Sequence, residues 1–92
     1  MVMNINDVVT VVTVAGEYIG RLKSQGEETV ELDNPRGLMQ GENGIGFAPS
    51  VCMTGDTTNT VHFNKSTILF TVKTLPEVEK AWQQATSGIV LT

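Results

Sequence analysis

Apolar positions along the chain recur mostly with a period of two. Val8-Val9-Thr10-Val11-Val12-Thr13-Val14-Ala15 is almost wholly β-branched, and such side chains prefer the pleated backbone because their χ1 is already restricted. The run predicts a first strand over residues 8–15, covered on both faces. Ala15-Gly16-Glu17 offers a tight reversal, after which residues 17–24 alternate, with Tyr18, Gly20 and Leu22 on one face. A glycine inside a strand lets it bend sharply or be approached closely. Gln25-Gly26-Glu27-Glu28 predicts a turn, and residues 29–34 a third strand with Val30 and Leu32 inward. Asn34-Pro35 ends that strand, because proline cannot donate to a ladder.

Residues 35–57 break the pattern. Five glycines and Pro49 punctuate short apolar pieces, too broken for a helix and too regularly apolar for disorder. Asn43-Gly44 is a strong two-residue hairpin signal and predicts a ribbon of Leu38-Met39-Gln40 against Ile45-Gly46-Phe47. Alternation resumes over residues 58–63 and 67–73, predicting strands that turn Val61, Phe63, Ile68, Phe70 and Val72 toward the core. Asn64-Lys65-Ser66 joins them as a short polar link. The period then changes to 3.6 over residues 75–86, with Leu75, Val78, Ala81, Trp82 and Ala85 on one stripe. Thr74-Leu75-Pro76-Glu77 reads as its capping box and Ser87-Gly88 as its stop. Ile89-Val90-Leu91-Thr92 is an apolar tail expected to dock on this chain or on a neighbour. The predicted fold is a mainly β single domain over residues 1–92: a small, strongly bent, five-stranded antiparallel barrel, with a C-terminal helix packed over it through Leu75, Val78 and Trp82.

Composition narrows the function. With 92 residues, 40% hydrophobic and 17% charged, the chain has material for one modest core, so stability can lean on oligomerisation. No apolar run approaches the roughly 18 residues of a membrane span, and no basic leader precedes an apolar segment at the start. A cytoplasmic protein with no membrane partner is expected. The net charge of −4 argues against indiscriminate phosphate binding, which Lys and Arg drive by releasing counterions. Cys52 is the only cysteine, which excludes an internal disulfide and a cysteine-cluster zinc site.

The candidate chemistry is sparse. Gly41-Glu42-Asn43-Gly44-Ile45-Gly46 is glycine-rich, yet no helix follows it as a dinucleotide fingerprint requires. His62 is the sole histidine, without a second histidine or an adjacent nucleophile in sequence. The carboxylates lack calcium-loop spacing. Trp82 falls on the helix stripe, where packing explains it. Neither catalysis nor a cofactor or metal is expected.

The order of strands resembles the Sm fold. Val12-Thr13-Val14-Ala15-Gly16-Glu17-Tyr18-Ile19-Gly20-Arg21-Leu22 is similar to the first Sm motif, and Phe63-Asn64-Lys65-Ser66-Thr67-Ile68 looks like the second in its bacterial and phage form. Asn34-Pro35-Arg36 and Thr86-Ser87-Gly88-Ile89 are similar to marine cyanophage Sm-like proteins. The resemblance spans about residues 8 to 73. It implies a homo-oligomeric ring, with strand four of one subunit pairing with strand five of the next. It also implies single-stranded RNA at the pore rim on Asn64, Lys65 and Ser66, with Gln25 and Gly26 from the neighbouring loop. The alternative is a structural or assembly component, phage-related, that binds no nucleic acid. Departures bear on that choice: Gly26 and about Thr29 stand where the family has aspartate and asparagine, and Asn64-Lys65 replaces an Arg-Gly pair. Glu27 and Glu28 sit where they would repel phosphate. The family helix precedes strand one, whereas here it follows strand five. A helix in the Asn64–Ser66 link, or between strands three and four, would count against the resemblance.

Overall fold

The computed structural model describes residues 3–42, 44–48, 51–57 and 59–86. Six strands and one helix follow in chain order: β1 (Val8–Thr13), β2 (Gly16–Gln25), β3 (Thr29–Gly41), β4 (Gly44–Phe47), β5 (Thr60–Asn64), β6 (Ile68–Lys73) and α1 (Pro76–Thr86). The sheet is antiparallel, ordered β4-β3-β2-β1-β6, with β5 also on β3. It does not close, because β5 and β6 share no ladder. The expected five-stranded barrel is thus an open six-stranded sheet with a C-terminal helix.

Two apolar clusters occupy its two faces. Val9, Val11, Leu22, Val30 and Leu32 form the inner one, with Met3, Phe63 and Ile68 against it. Val8, Ile19 and Trp82 form the outer one with Leu38, Phe47 and Val78. The unbroken valine run of β1 explains this: its residues meet the inner cluster and the helix alternately, so neither face could be polar. Beyond Thr13 that coverage ends, and Val14 is exposed.

The largest departure from the sequence reading lies in β3, which runs to Gly41 rather than ending at residue 34. Pro35 sits inside it, buried. Ile19 pairs with Arg36 and Arg21 with Asp33, so Asn34 and Pro35 together oppose Gly20. This is a bulge, where a missing N–H costs no ladder bond. Asn34 takes φ 50, a left-handed conformation that asparagine tolerates better than most residues. Beyond the bulge, β3 and β4 form the expected hairpin, with Leu38 opposite Phe47 and Gly41 opposite Gly44. Gly44 has φ 113, which a side chain would strain.

A second bulge corrects the reading of β6. Val12 pairs with Phe70 but Thr13 pairs with Ile68, leaving Leu69 as an extra residue. A one-residue slip moves every later side chain to the other face. Ile68 therefore reaches the inner cluster, whereas Phe70 and Val72 point outward and are 53% and 46% exposed.

Helix α1 is fastened through Trp82, which is only 3% exposed and whose indole Nε1 donates to the Asn34 carbonyl at 3.2 Å. The Asn34 side-chain Nδ2 donates to the Thr86 carbonyl at 3.3 Å. Val78 packs as expected, but Leu75 is 63% exposed. The capping box does not form: the Thr74 hydroxyl shares a hydrogen bond with Thr10 at 2.8 Å, and the Thr74 amide donates to the Val8 carbonyl. Thr74 therefore extends the β1–β6 ladder instead of capping the helix. The helix stop at Ser87-Gly88 and the tail lie outside the described residues, as does Thr58, where the fourth strand was expected to begin. The link after β5 is one 3-10 turn, Lys65–Thr67, and no helix stands between β3 and β5 among the described residues.

Candidate functional site

Backbone geometry brings the β2–β3 turn and the β5–β6 link together. The Gly26 amide closes its turn by donating to the Thr29 carbonyl at 2.9 Å, and the Lys65 amide donates to the Glu28 carbonyl at 2.8 Å. Asn64 caps the link, its Oδ1 accepting from the Ser66 amide at 3.0 Å, while the Thr67 hydroxyl donates to the Asn64 carbonyl. This is the local bonding by which Asn and Ser favour tight turns. The result is a shallow cleft of about 470 Å3 lined by Glu27, Glu28, Thr29, Asn64, Lys65 and Ser66.

Three of the five expected residues, Asn64, Lys65 and Ser66, therefore share one cleft. Gln25 and Gly26 do not line it; Gln25 is the last residue of β2, paired with Val30. Their places are taken by Glu27 and Glu28. Lys65 makes no ion pair among the described residues. The cleft thus holds two carboxylates against one ammonium, a balance that disfavours a phosphate while leaving polar groups free for neutral partners.

A second constellation was invisible in the sequence. Glu31 on β3 lies opposite His62 on β5. His62 Nε2 stands 3.1 Å from Glu31 Oε1, and the Ser24 hydroxyl donates to Glu31 Oε2 at 2.6 Å. Serine, histidine and a carboxylate are thus assembled, but in the wrong order. A nucleophilic triad needs the imidazole between hydroxyl and carboxylate; here the carboxylate is in the middle, so His62 cannot take the Ser24 proton. The arrangement is a cross-strand polar clasp, readable only once the β3–β5 register is known.

Among the described residues no three His, Cys, Asp or Glu side chains converge as a metal site would require, and Cys52 is exposed and in no disulfide. No helix among them is long and apolar enough to cross a membrane.

The remaining feature is a groove of about 440 Å3 on the outer face, a consequence of the Leu69 bulge. Thr10, Val12 and Ile19 lie at its floor in β1 and β2; Phe70 and Val72 border it from β6, Leu75 from the segment before α1, and Val78 and Ala81 from α1. Ile45, 74% exposed, borders it from the β3–β4 hairpin.

Comparison with protein-family models, with curated proteins and with solved structures finds no match. The functional reading rests on this geometry and on the resemblance in the sequence.

Proposed function

We propose that the protein is a self-assembling unit in which two of its three single-partner strands join head to tail, β5 of one copy on β6 of the next, into a homo-oligomeric Sm-like ring that serves as an assembly platform. The observation that carries this is that β5 and β6, like β4, each pair with one strand only among the described residues. In β6, Thr74 donates to the Val8 carbonyl, and antiparallel bonding alternates. Val72 and Phe70 therefore bond β1, while Thr71 and Lys73 aim their backbone groups outward. In β5, Lys65 bonds Glu28 and Asn34 bonds Asn59, so His62 faces outward in the same way. Both edges thus offer main-chain donors and acceptors, and apolar Leu69, Phe70 and Val72 stand exposed on β6. Soluble proteins seldom leave such an edge uncovered. Pairing two different edges is heterologous, and it leaves neither β5 nor β6 with a free edge only when the ring closes. The order β6-β1-β2-β3-β5 supports the Sm-like reading. Against it stands the one-turn 3-10 helix Lys65–Thr67 in the link between β5 and β6, where a helix counts against the resemblance. Thr71→Pro removes an outward N–H and leaves the β1 ladder bonds in place. Light scattering should show it as a folded monomer beside an oligomeric wild type; an unchanged oligomer would reject this edge.

A second reading, single-stranded RNA at the rim, is favoured by Lys65. Symmetry would repeat its unpaired ammonium around the ring, giving a circle of cations on a protein of negative net charge. Glu27 and Glu28 oppose it, and no aromatic in the cleft offers a base a stacking platform. Binding of short RNAs should weaken as salt rises and be lost in Lys65→Glu with the ring intact. Unchanged affinity in that variant would remove the site, and no RNA uptake by the wild type would leave the platform reading alone.

A further inference from the structure

Joining β5 to β6 leaves the third single-partner strand, β4, with one edge open. The β3–β4 register fixes which groups lie on that edge. The Ala48 amide donates to the Gly37 carbonyl at 2.7 Å, and Gly46 lies opposite Met39 and Gly44 opposite Gly41. Antiparallel bonding alternates, so Gly44, Gly46 and Ala48 turn their backbone groups to β3, while Ile45 and Phe47 turn theirs outward. These two residues stand symmetrically about Gly46.

We propose that β4 pairs with β4 of a second copy, antiparallel, across a two-fold axis through Gly46. In that register Ile45 of each copy faces Phe47 of the other, and each facing pair exchanges two main-chain bonds, so every outward donor and acceptor at these positions is satisfied. An isologous contact requires this self-matching. At the axis Gly46 meets Gly46 as a non-hydrogen-bonded pair, about 4.5 Å apart between Cα atoms, and nothing stands within 4 Å of the position a Cβ would take there.

The side chains agree with the backbone. Ile45 and Phe47 both lie on the outer face, so the contact sets aliphatic against aromatic twice and covers Ile45, which is 74% exposed in the single copy. Residues 44–48 carry no charge. Edges that stay free are commonly guarded by charged residues, and in a pairing of identical strands any charge would meet its like; β4 has neither guard nor repulsion. The contact is small, well below the roughly 1,000 Å2 of a lasting interface, so separate copies exchange and the join persists only where a ring repeats it. Its persistence thus rests on the ring, its register does not.

The test is disulfide trapping with Gly46→Cys in a Cys52→Ser background. Across the axis the two cysteines fall in the roughly 4.4–6.8 Å between Cα atoms that a disulfide spans. Met39→Cys in the same background is the control: it is 56% exposed and directly opposite Gly46, but three strand spacings, about 14 Å, from its copy. Mild oxidation should link Gly46→Cys chains in pairs about tenfold faster than Met39→Cys chains, or more. Adding Ile45→Lys, which sets like charges on the joined edge, should abolish that advantage. Equal rates for the two cysteines would overturn the proposal, as would an advantage that Ile45→Lys leaves unchanged. A monomeric wild type whose Gly46→Cys chains still link selectively rejects the ring and keeps this register; a ring whose Gly46→Cys chains show no preference rejects the register alone.

Discussion

Trp82→Ala should lower stability by about 3–5 kcal/mol, the cost of removing a large aromatic from a packed site. Trp82 is the one buried side chain on α1 and closes the outer cluster over Val8 and Ile19. Its N–H is also one of two bonds that tie the helix to Asn34 in the β3 bulge, so the alanine variant leaves the Asn34 carbonyl without that donor. For a chain of this size each kcal/mol moves the midpoint by several degrees, and the loss should exceed about 15 °C. Thermal unfolding followed by circular dichroism checks it, at one fixed protein concentration because the proposed assembly would make the midpoint depend on concentration. Lys80→Ala, on the exposed side of the same helix, should stay within about 0.5 kcal/mol. Equal losses from both would show that the helix is not anchored through Trp82.

Gly20→Ala should be the second most damaging change, at about 1–3 kcal/mol. A Cβ at this position would stand 2.9 Å from Leu32 Cβ, 3.2 Å from the Asp33 carbonyl oxygen and 3.2 Å from Pro35 Cα. None of these is the end of a flexible side chain, so β2 and the bulge of β3 would have to separate. Gly46→Ala is the control: nothing lies within 4 Å of its Cβ position, and the change should be nearly neutral. Denaturant midpoints for the two variants give the comparison. Similar values would mean that the close approach of the bulge is not what selects glycine at position 20.

These two positions also mark what the sequence made legible. The inward Val30 and Leu32 follow from alternation, the covering of β1 on both faces from its unbroken β-branched run, the Leu38–Phe47 pairing from the hairpin signal at Asn43-Gly44 and the helix carrying Trp82 from its 3.6-residue period, because each depends on neighbours close in sequence. The errors share one cause. Pro35 looks like a strand end until Gly20, distant in sequence, is placed opposite it. Phe70 and Val72 look inward until Leu69 is recognised as an extra residue against β1. Thr74 looks like a helix cap until Thr10 competes for its hydroxyl. In each case a cross-strand partner overrides a sound local rule.

The candidate site divides in the same way. The polar link of Asn64, Lys65 and Ser66 was readable because its turn chemistry is local. That Glu27 and Glu28, rather than Gln25 and Gly26, would line the same cleft depended on how the β2–β3 turn bends under Lys65. The Glu31–His62 pair required the β3–β5 register, and the outer groove required the Leu69 bulge.

The central claim is that β5 and β6 are made to pair between copies. Sedimentation velocity of the wild-type chain at micromolar concentration tests it most directly. A single species at an integral multiple of 9.9 kDa, unchanged on tenfold dilution, is the result the account predicts; a species at the monomer mass would contradict it.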